Sequence, residues 1–246
     1  MTTRHPARLT IPLFLLLIPG CAGPPRVTPD LLVLSDRPTA RLEQTRLLGP
    51  EVVGGSFRIE TESDLRILEN SDLYRYQGLI LHSRFEQRLT PERERAFLDY
   101  ISRGHGLVLL GEAALSFPGW DEYRRLAGLT GEIGEETETV SVRFGPRYHP
   151  VTNGLAGFAM VSRLPVRASR HSDYEVLAYG EAEERPDPFP LAVAKTYGEG
   201  RVFQILIGLP AGEWESSPIP PELALLVKRG IAWTVRAEEV DTIGLE

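Results

Sequence analysis

The chain has 246 residues with Lys+Arg 27 against Asp+Glu 34, a formal charge of −7, and 42% hydrophobic against 25% charged residues. These values exclude a mainly disordered chain and a polytopic membrane protein, and the acidic balance argues against nucleic acid as a partner, because phosphate neutralisation needs clustered cations. A single cysteine leaves no intramolecular disulfide, Cys-rich zinc site or iron–sulfur cluster.

Arg4, His5 and Arg8 make a short basic start, and Leu9 to Ile18 holds eight apolar residues in ten. That run is about half of the roughly 20 residues that span a bilayer, so it reads as a secretory signal over residues 1–20. Ile18-Pro19-Gly20-Cys21 resembles the lipobox of bacterial lipoproteins, although Pro19 stands where that motif usually has a small or aliphatic residue. The resemblance implies cleavage before Cys21 and acylation of Cys21. The partner is then membrane lipid and the localisation the cell envelope, anchored by acyl chains. Ala22 in place of an aspartate points to the outer membrane, facing the periplasm. Residues 21–30 form a Pro-rich tether. Loss of Arg4 and Arg8 with no acid leaves the mature chain at −9, and its only lysines are Lys195 and Lys228.

Beyond the tether, Leu31-Leu32-Val33-Leu34 reads as a buried strand ending in Ser35-Asp36. Arg41 to Leu48 is predicted helical, a second strand falls around Ser56 to Glu60, and Asp64 to Leu73 is a mixed, helical stretch. Gly78-Leu79-Ile80-Leu81 is a third buried run, ending in His82-Ser83-Arg84. Thr90-Pro91-Glu92 starts a helix that Gly104 stops, by N-cap, N1 proline and C-terminal glycine. Gly106 to Leu110 is a fourth strand, ending in Gly111-Glu112. Aliphatic strands alternating with helices imply a parallel sheet covered on both faces. Thr139 to Phe144, Arg163 to Arg167, Tyr174 to Tyr179, Leu191 to Thr196 and Arg201 to Ile207 are strand-like, and Gly198-Glu199-Gly200 reads as a hairpin turn. A last helix runs from about Pro221 to Arg236. The reading is one α/β domain over 31–237 with a β-rich second half and a tail at 238–246.

Several segments together resemble the trehalose-utilisation (ThuA-like) family, whose fold is flavodoxin-like and related to class I glutamine amidotransferases. They are Leu89-Thr90-Pro91-Glu92, Tyr100 to Gly104 with Gly106-Leu107-Val108, and Phe117-Pro118-Gly119-Trp120-Asp121-Glu122-Tyr123. His149-Pro150-Val151-Thr152-Asn153-Gly154-Leu155, Tyr197 to Phe203 and Gly230-Ile231-Ala232-Trp233 complete the series. The departures bear on activity. Gly111-Glu112-Ala113 stands where the family usually has a histidine turn, Val161-Ser162-Arg163 replaces an acidic patch, and Leu209 follows Gly208 where a Gly-His pair is usual. With Cys21 assigned to the anchor, a thiolate-dependent glutaminase is excluded.

Ligands of open parallel sheets bind outside the carboxyl ends of the strands. Three such ends offer Asp36, His82 with Ser83 and Arg84, and Glu112. If the strands are neighbours, these groups suit acid–base chemistry or the hydroxyls of a sugar. The plainer alternative is that Asp36 and His82 cap loops and that Glu112 is a solvated or Arg-paired loop residue. Trp120 could stack on a sugar ring or plug the core beneath its loop. His149, before Pro150, is a candidate pocket residue or a structural anchor. Scattered histidines and the absence of His-x-His or His-Glu-x-x-His spacing give no metal site. Glu132, Glu135, Glu136 and Glu138 read as a solvated loop. No Gly-rich phosphate cradle is present, and no cofactor is implied. Two functions follow: a lipid-anchored protein handling a disaccharide or keto-sugar, or a non-catalytic scaffold of the envelope with a degenerate site and a protein partner.

Overall fold

The computed structural model describes residues 28–36, 46–130, 133–165, 169–170, 173–183, 185, 187–207 and 219–237. The signal segment, Cys21 and most of its tether, most of the expected helix at 41–48, Glu132, Gly208-Leu209 and the tail at 238–246 lie outside the described residues. One nine-stranded sheet runs through both halves of the chain. Its strands are β1 (Asp30–Leu34), β2 (Arg58–Glu62), β3 (Gly78–Leu81), β4 (Gly106–Leu110), β6 (Ile133–Phe144), β7 (Phe158–Pro165), β9 (Glu175–Ala182), β10 (Phe189–Tyr197) and β11 (Gly200–Ile205). The short β5 (Leu129–Thr130) and β8 (Ser169–Arg170) pair separately. The order is β2-β1-β3-β4-β11-β10-β9-β6-β7. The first five are mutually parallel, and each later neighbour is antiparallel.

The aliphatic runs form strands because both their faces are covered. Leu31, Val33, Ile80, Val108 and Leu110 face one core, together with Val52 and Val53 of α1 (Pro50–Val53) and Leu223, Val227 and Ile231 of α4 (Pro221–Thr234). Leu32, Leu34, Leu79, Leu81, Leu107 and Leu109 face the other, with Phe97 and Tyr100 of α2 (Pro91–Ser102) and Tyr123 and Leu126 of α3 (Asp121–Ala127). This is the α/β sheet with helices on both faces and a β-rich second half. Helix α2 starts as its sequence dictates, the Arg93 N–H donating to Thr90 Oγ1 at 3.4 Å.

Two stretches differ from expectation. Asp64 to Leu73 forms two 3₁₀ turns, Leu65–Glu69 and Ser71–Arg75, and not one helix. The Asp64 and Asn70 side chains accept from the N–H groups of Arg66 and Asp72, both at 2.9 Å, so each restarts the chain locally. Glu135, Glu136 and Glu138 lie on β6, not in a loop. The first part of β6 is exposed at Glu135, Glu136 and Thr137, so it tolerates them, and Glu138 accepts from Arg185 at 2.9 Å. Gly198, at φ 60°, turns β10 back into β11 as the hairpin reading requires.

The amino end of the parallel strands is closed by the last turn of α4. A Cβ on Gly106 would lie 2.8 Å from Thr234 Cβ, and Arg201 Nη1 donates to the Trp233 carbonyl at 2.8 Å. The carboxyl end is left to loops.

Candidate functional site

Strands β1, β3 and β4 are neighbours, so the polar residues that follow them converge. Their loops are stapled together. The Asp36 N–H donates to Ser83 Oγ at 2.9 Å, and the His82 N–H donates to the Leu34 carbonyl at 3.3 Å. Ser116 Oγ donates to the Ser83 carbonyl at 3.3 Å and accepts from the Phe85 N–H at 3.0 Å. Phe117 completes this clasp, its N–H donating to the Phe85 carbonyl at 2.8 Å while its ring stacks on Phe85. It does so at φ 57°, a conformation a bulky residue adopts only when its surroundings impose it.

After β4 the backbone turns left-handed at Gly111, φ 56°, where a Cβ would meet the Ile207 carbonyl at 2.8 Å. Only glycine meets both conditions at low cost. The 3₁₀ turn Gly111–Leu115 then lifts Glu112 over the strand ends. The result is a cavity of about 90 Å³ with an apolar floor of Leu47, Leu110, Ile205 and Ile207 and a polar rim of His82, Ser83, Arg84, Glu112 and Arg163.

Arg163 arrives from β7. In sheet order β7 is five strands from β4, about 24 Å in a flat sheet at 4.8 Å per strand. Yet Arg163 Nη2 lies 3.4 Å from Glu112 Oε1, with side chains 26% and 34% exposed. The antiparallel half therefore curls back over the carboxyl end of the parallel half. The sequence marks Arg163 only as a departure from the family's acidic patch, and no local signal places it at the site.

The structure brings His82 and Glu112 to one cavity. Asp36 borders the clasp through its backbone but is exposed and does not line the cavity. Trp120 is elsewhere: it is 7% exposed, stacked on Tyr123 at 5.6 Å and edge-on to Phe97 at 5.7 Å. With a ring face on Tyr123 and so little surface in solvent, it plugs the aromatic core and has no open face for a sugar. His149 lies at the opposite end of the sheet, 5.0 Å from the Trp233 ring, with Nδ1 accepting from the Val151 N–H at 3.2 Å. Burial holds its pKa below the usual histidine value, and it anchors the loop that begins with Gly145. Among the described residues no three His, Cys, Asp or Glu side chains are grouped to hold a metal ion.

The rim thus offers a carboxylate acceptor, an imidazole, a hydroxyl and two guanidinium forks above apolar carbon. Such a set can hydrogen-bond several hydroxyls of one ligand while its carbon face rests on the floor. The family model described as "ThuA: Trehalose utilisation" matches residues 38–234. The chain belongs to the trehalose-utilisation (ThuA) family. A ThuA-like protein of Parabacteroides merdae superposes with a TM-score of 0.70 at 19% identity, covering 85% of this chain and 90% of that one. A protein of Salmonella typhimurium described as cytoplasmic gives 0.57 at 15% identity, over 84% and 98% of the two chains. A β-galactosidase of Rahnella sp. R3 gives 0.54 at 13% identity, over 86% of this chain and 32% of that one. At these identities the likeness is one of fold. Among curated proteins, none matches. No helix among the described residues is long and apolar enough to cross a membrane.

Proposed function

We propose that this ThuA-family chain is a lipoprotein of the cell envelope, held by acylated Cys21 at the outer membrane, that handles a carbohydrate at the carboxyl end of its sheet. The supporting observation is that His82, Glu112 and Arg163 share one cavity over an apolar floor. At about 90 Å³ that cavity is well below the roughly 300 Å³ where pockets for drug-sized ligands begin. It accepts part of one sugar ring of a disaccharide or keto-sugar, the remainder lying across the rim. Glu112 is the acceptor for sugar hydroxyls, Arg163 holds that carboxylate in place and His82 exchanges a proton or hydrogen bond with the ligand. Calorimetry and thermal shift with disaccharides and their keto derivatives test the reading. Wild type responds to a member of the panel, and Glu112→Gln and His82→Ala lose the response while remaining folded.

A second reading is favoured by the Arg163–Glu112 pair itself. With the Glu112 carboxylate engaged by a guanidinium it is less available to a ligand, and the module then serves as a non-catalytic scaffold for an envelope partner. That reading predicts co-purification of one fixed partner, unchanged by His82→Ala and Glu112→Ala, and no response to any sugar.

A further inference from the structure

We infer that the amino end of the sheet faces the membrane and the pocket opens away from it, so that Tyr74 and Tyr148 meet the lipid headgroups and the ligand comes from the aqueous side. This rests on the acylated Cys21 proposed above and goes further by assigning which end of the fold meets the bilayer.

The geometry begins at β1. The tether ends where Asp30 starts that strand, and the Arg58 N–H donates to the Pro29 carbonyl at 2.9 Å, so this point is fixed at the amino end of the parallel strands. The cavity is at the other end. Leu81 pairs with both Leu34 and Leu109, which puts His82 and Glu112 about five to seven residues above Asp30, roughly 16–23 Å at 3.3 Å per residue. Residues 22–30 are nine residues and reach about 30 Å at full extension. For the pocket mouth to meet the bilayer, the tether must retrace about 20 Å of strand and skirt a helix layer about 10 Å thick. That consumes its whole extended length. With the amino end down, no such path is required.

The surface at that end suits a headgroup layer. Tyr148 is 77% exposed and Tyr74 is 40% exposed, two of the four large exposed hydrophobic residues among those described. They flank opposite faces of the sheet. Tyr148 precedes His149, which packs on Trp233 of α4, while Tyr74 is edge-on to Tyr100 of α2 and to His105. Tyrosine is enriched at the membrane–water interface because its ring is apolar and its hydroxyl wet. Arg58, Arg75 and Arg103, each about three-fifths exposed or more, stand at the same end in pairs with Asp30, Glu60 and Asp99. Surface pairs of this kind hold their guanidinium groups weakly, so these can turn to lipid phosphates.

The test uses the full chain, expressed with its anchor and reconstituted in phosphatidylethanolamine–phosphatidylglycerol vesicles carrying a nitroxide headgroup lipid. Because Cys21 is the sole cysteine and is acylated, Arg147→Cys and Glu86→Cys each give one labelling site, at the amino end and beside the pocket rim. Mass spectrometry of the intact protein checks acylation first. The expected result is an acylated protein whose fluorophore at position 147 is quenched at least three-fold more than the one at position 86. An acylated protein quenched equally at both positions, or more at position 86, overturns the orientation and leaves the anchor standing. A protein with no acyl chain on Cys21 overturns the anchor, and the orientation with it.

Discussion

Replacing Trp120 with alanine separates a core plug from a sugar platform. A buried tryptophan withdraws about 150–250 Å² from water, and Trp120 keeps only 7% of its surface exposed. At about 25 cal/mol per Å² its burial contributes about 4–6 kcal/mol as an upper bound. Removal also opens a cavity between Phe97, Phe117 and Tyr123, which all lie within 6.0 Å of its ring centroid. Truncations of this kind cost about 3–5 kcal/mol. With a urea m-value of about 2 kcal/mol/M, a loss of about 4 kcal/mol lowers the unfolding midpoint by about 2 M at unchanged m. The assay is equilibrium urea unfolding followed by circular dichroism, beside a sugar titration of the folded variant. A midpoint shift under about 0.5 M together with a lost sugar response would refute the reasoning and restore Trp120 as a stacking platform.

Gly111→Ala forces a Cβ toward the Ile207 carbonyl at a left-handed residue. The left-handed backbone alone is expected to cost about 1–2 kcal/mol, the carbonyl clash adds to that, and any sugar response weakens, measured by thermal unfolding and calorimetry. Gln204, fully buried on β11, donates to the Leu129 carbonyl and accepts from its N–H, both at 2.9 Å. Gln204→Leu strands both backbone groups, and unfolding stability is expected to fall by about 2–4 kcal/mol. His105 and His149 have pKa values lowered chiefly by burial, so the unfolded chain binds more protons than the folded one in mild acid. Their contribution is present above the unfolded value of about 6.5 and is lost as pH falls through the lowered folded values. Urea midpoints measured from pH 7.5 to 5 are expected to fall, and to fall less in His105→Gln and His149→Gln.

Much of the parallel half was legible because strands buried on both faces read as short aliphatic runs, as in Leu31 to Leu34 and Gly106 to Leu110. His82 and Glu112 were legible for the same reason: a polar residue just past such a run stands at a strand's carboxyl end. Asp36 satisfies that rule too, yet the clasp engages its backbone and its side chain does not line the cavity. Arg163 shows what the rule cannot reach. Its place at the site depends on how far the antiparallel strands curl, a property of packing across five strands and of no local segment. The segment Phe117-Pro118-Gly119-Trp120 stayed ambiguous because a loop tryptophan looks the same whether its ring turns to solvent or to Tyr123.

The pocket of His82, Glu112 and Arg163 is tested most directly by isothermal titration of the folded protein with a panel of disaccharides and keto-sugars, wild type beside Glu112→Gln. Saturable heat with at least one sugar, weakened ten-fold or more by Glu112→Gln, is the predicted result. A folded wild-type protein that binds no member of the panel, or one bound equally well by Glu112→Gln, contradicts it.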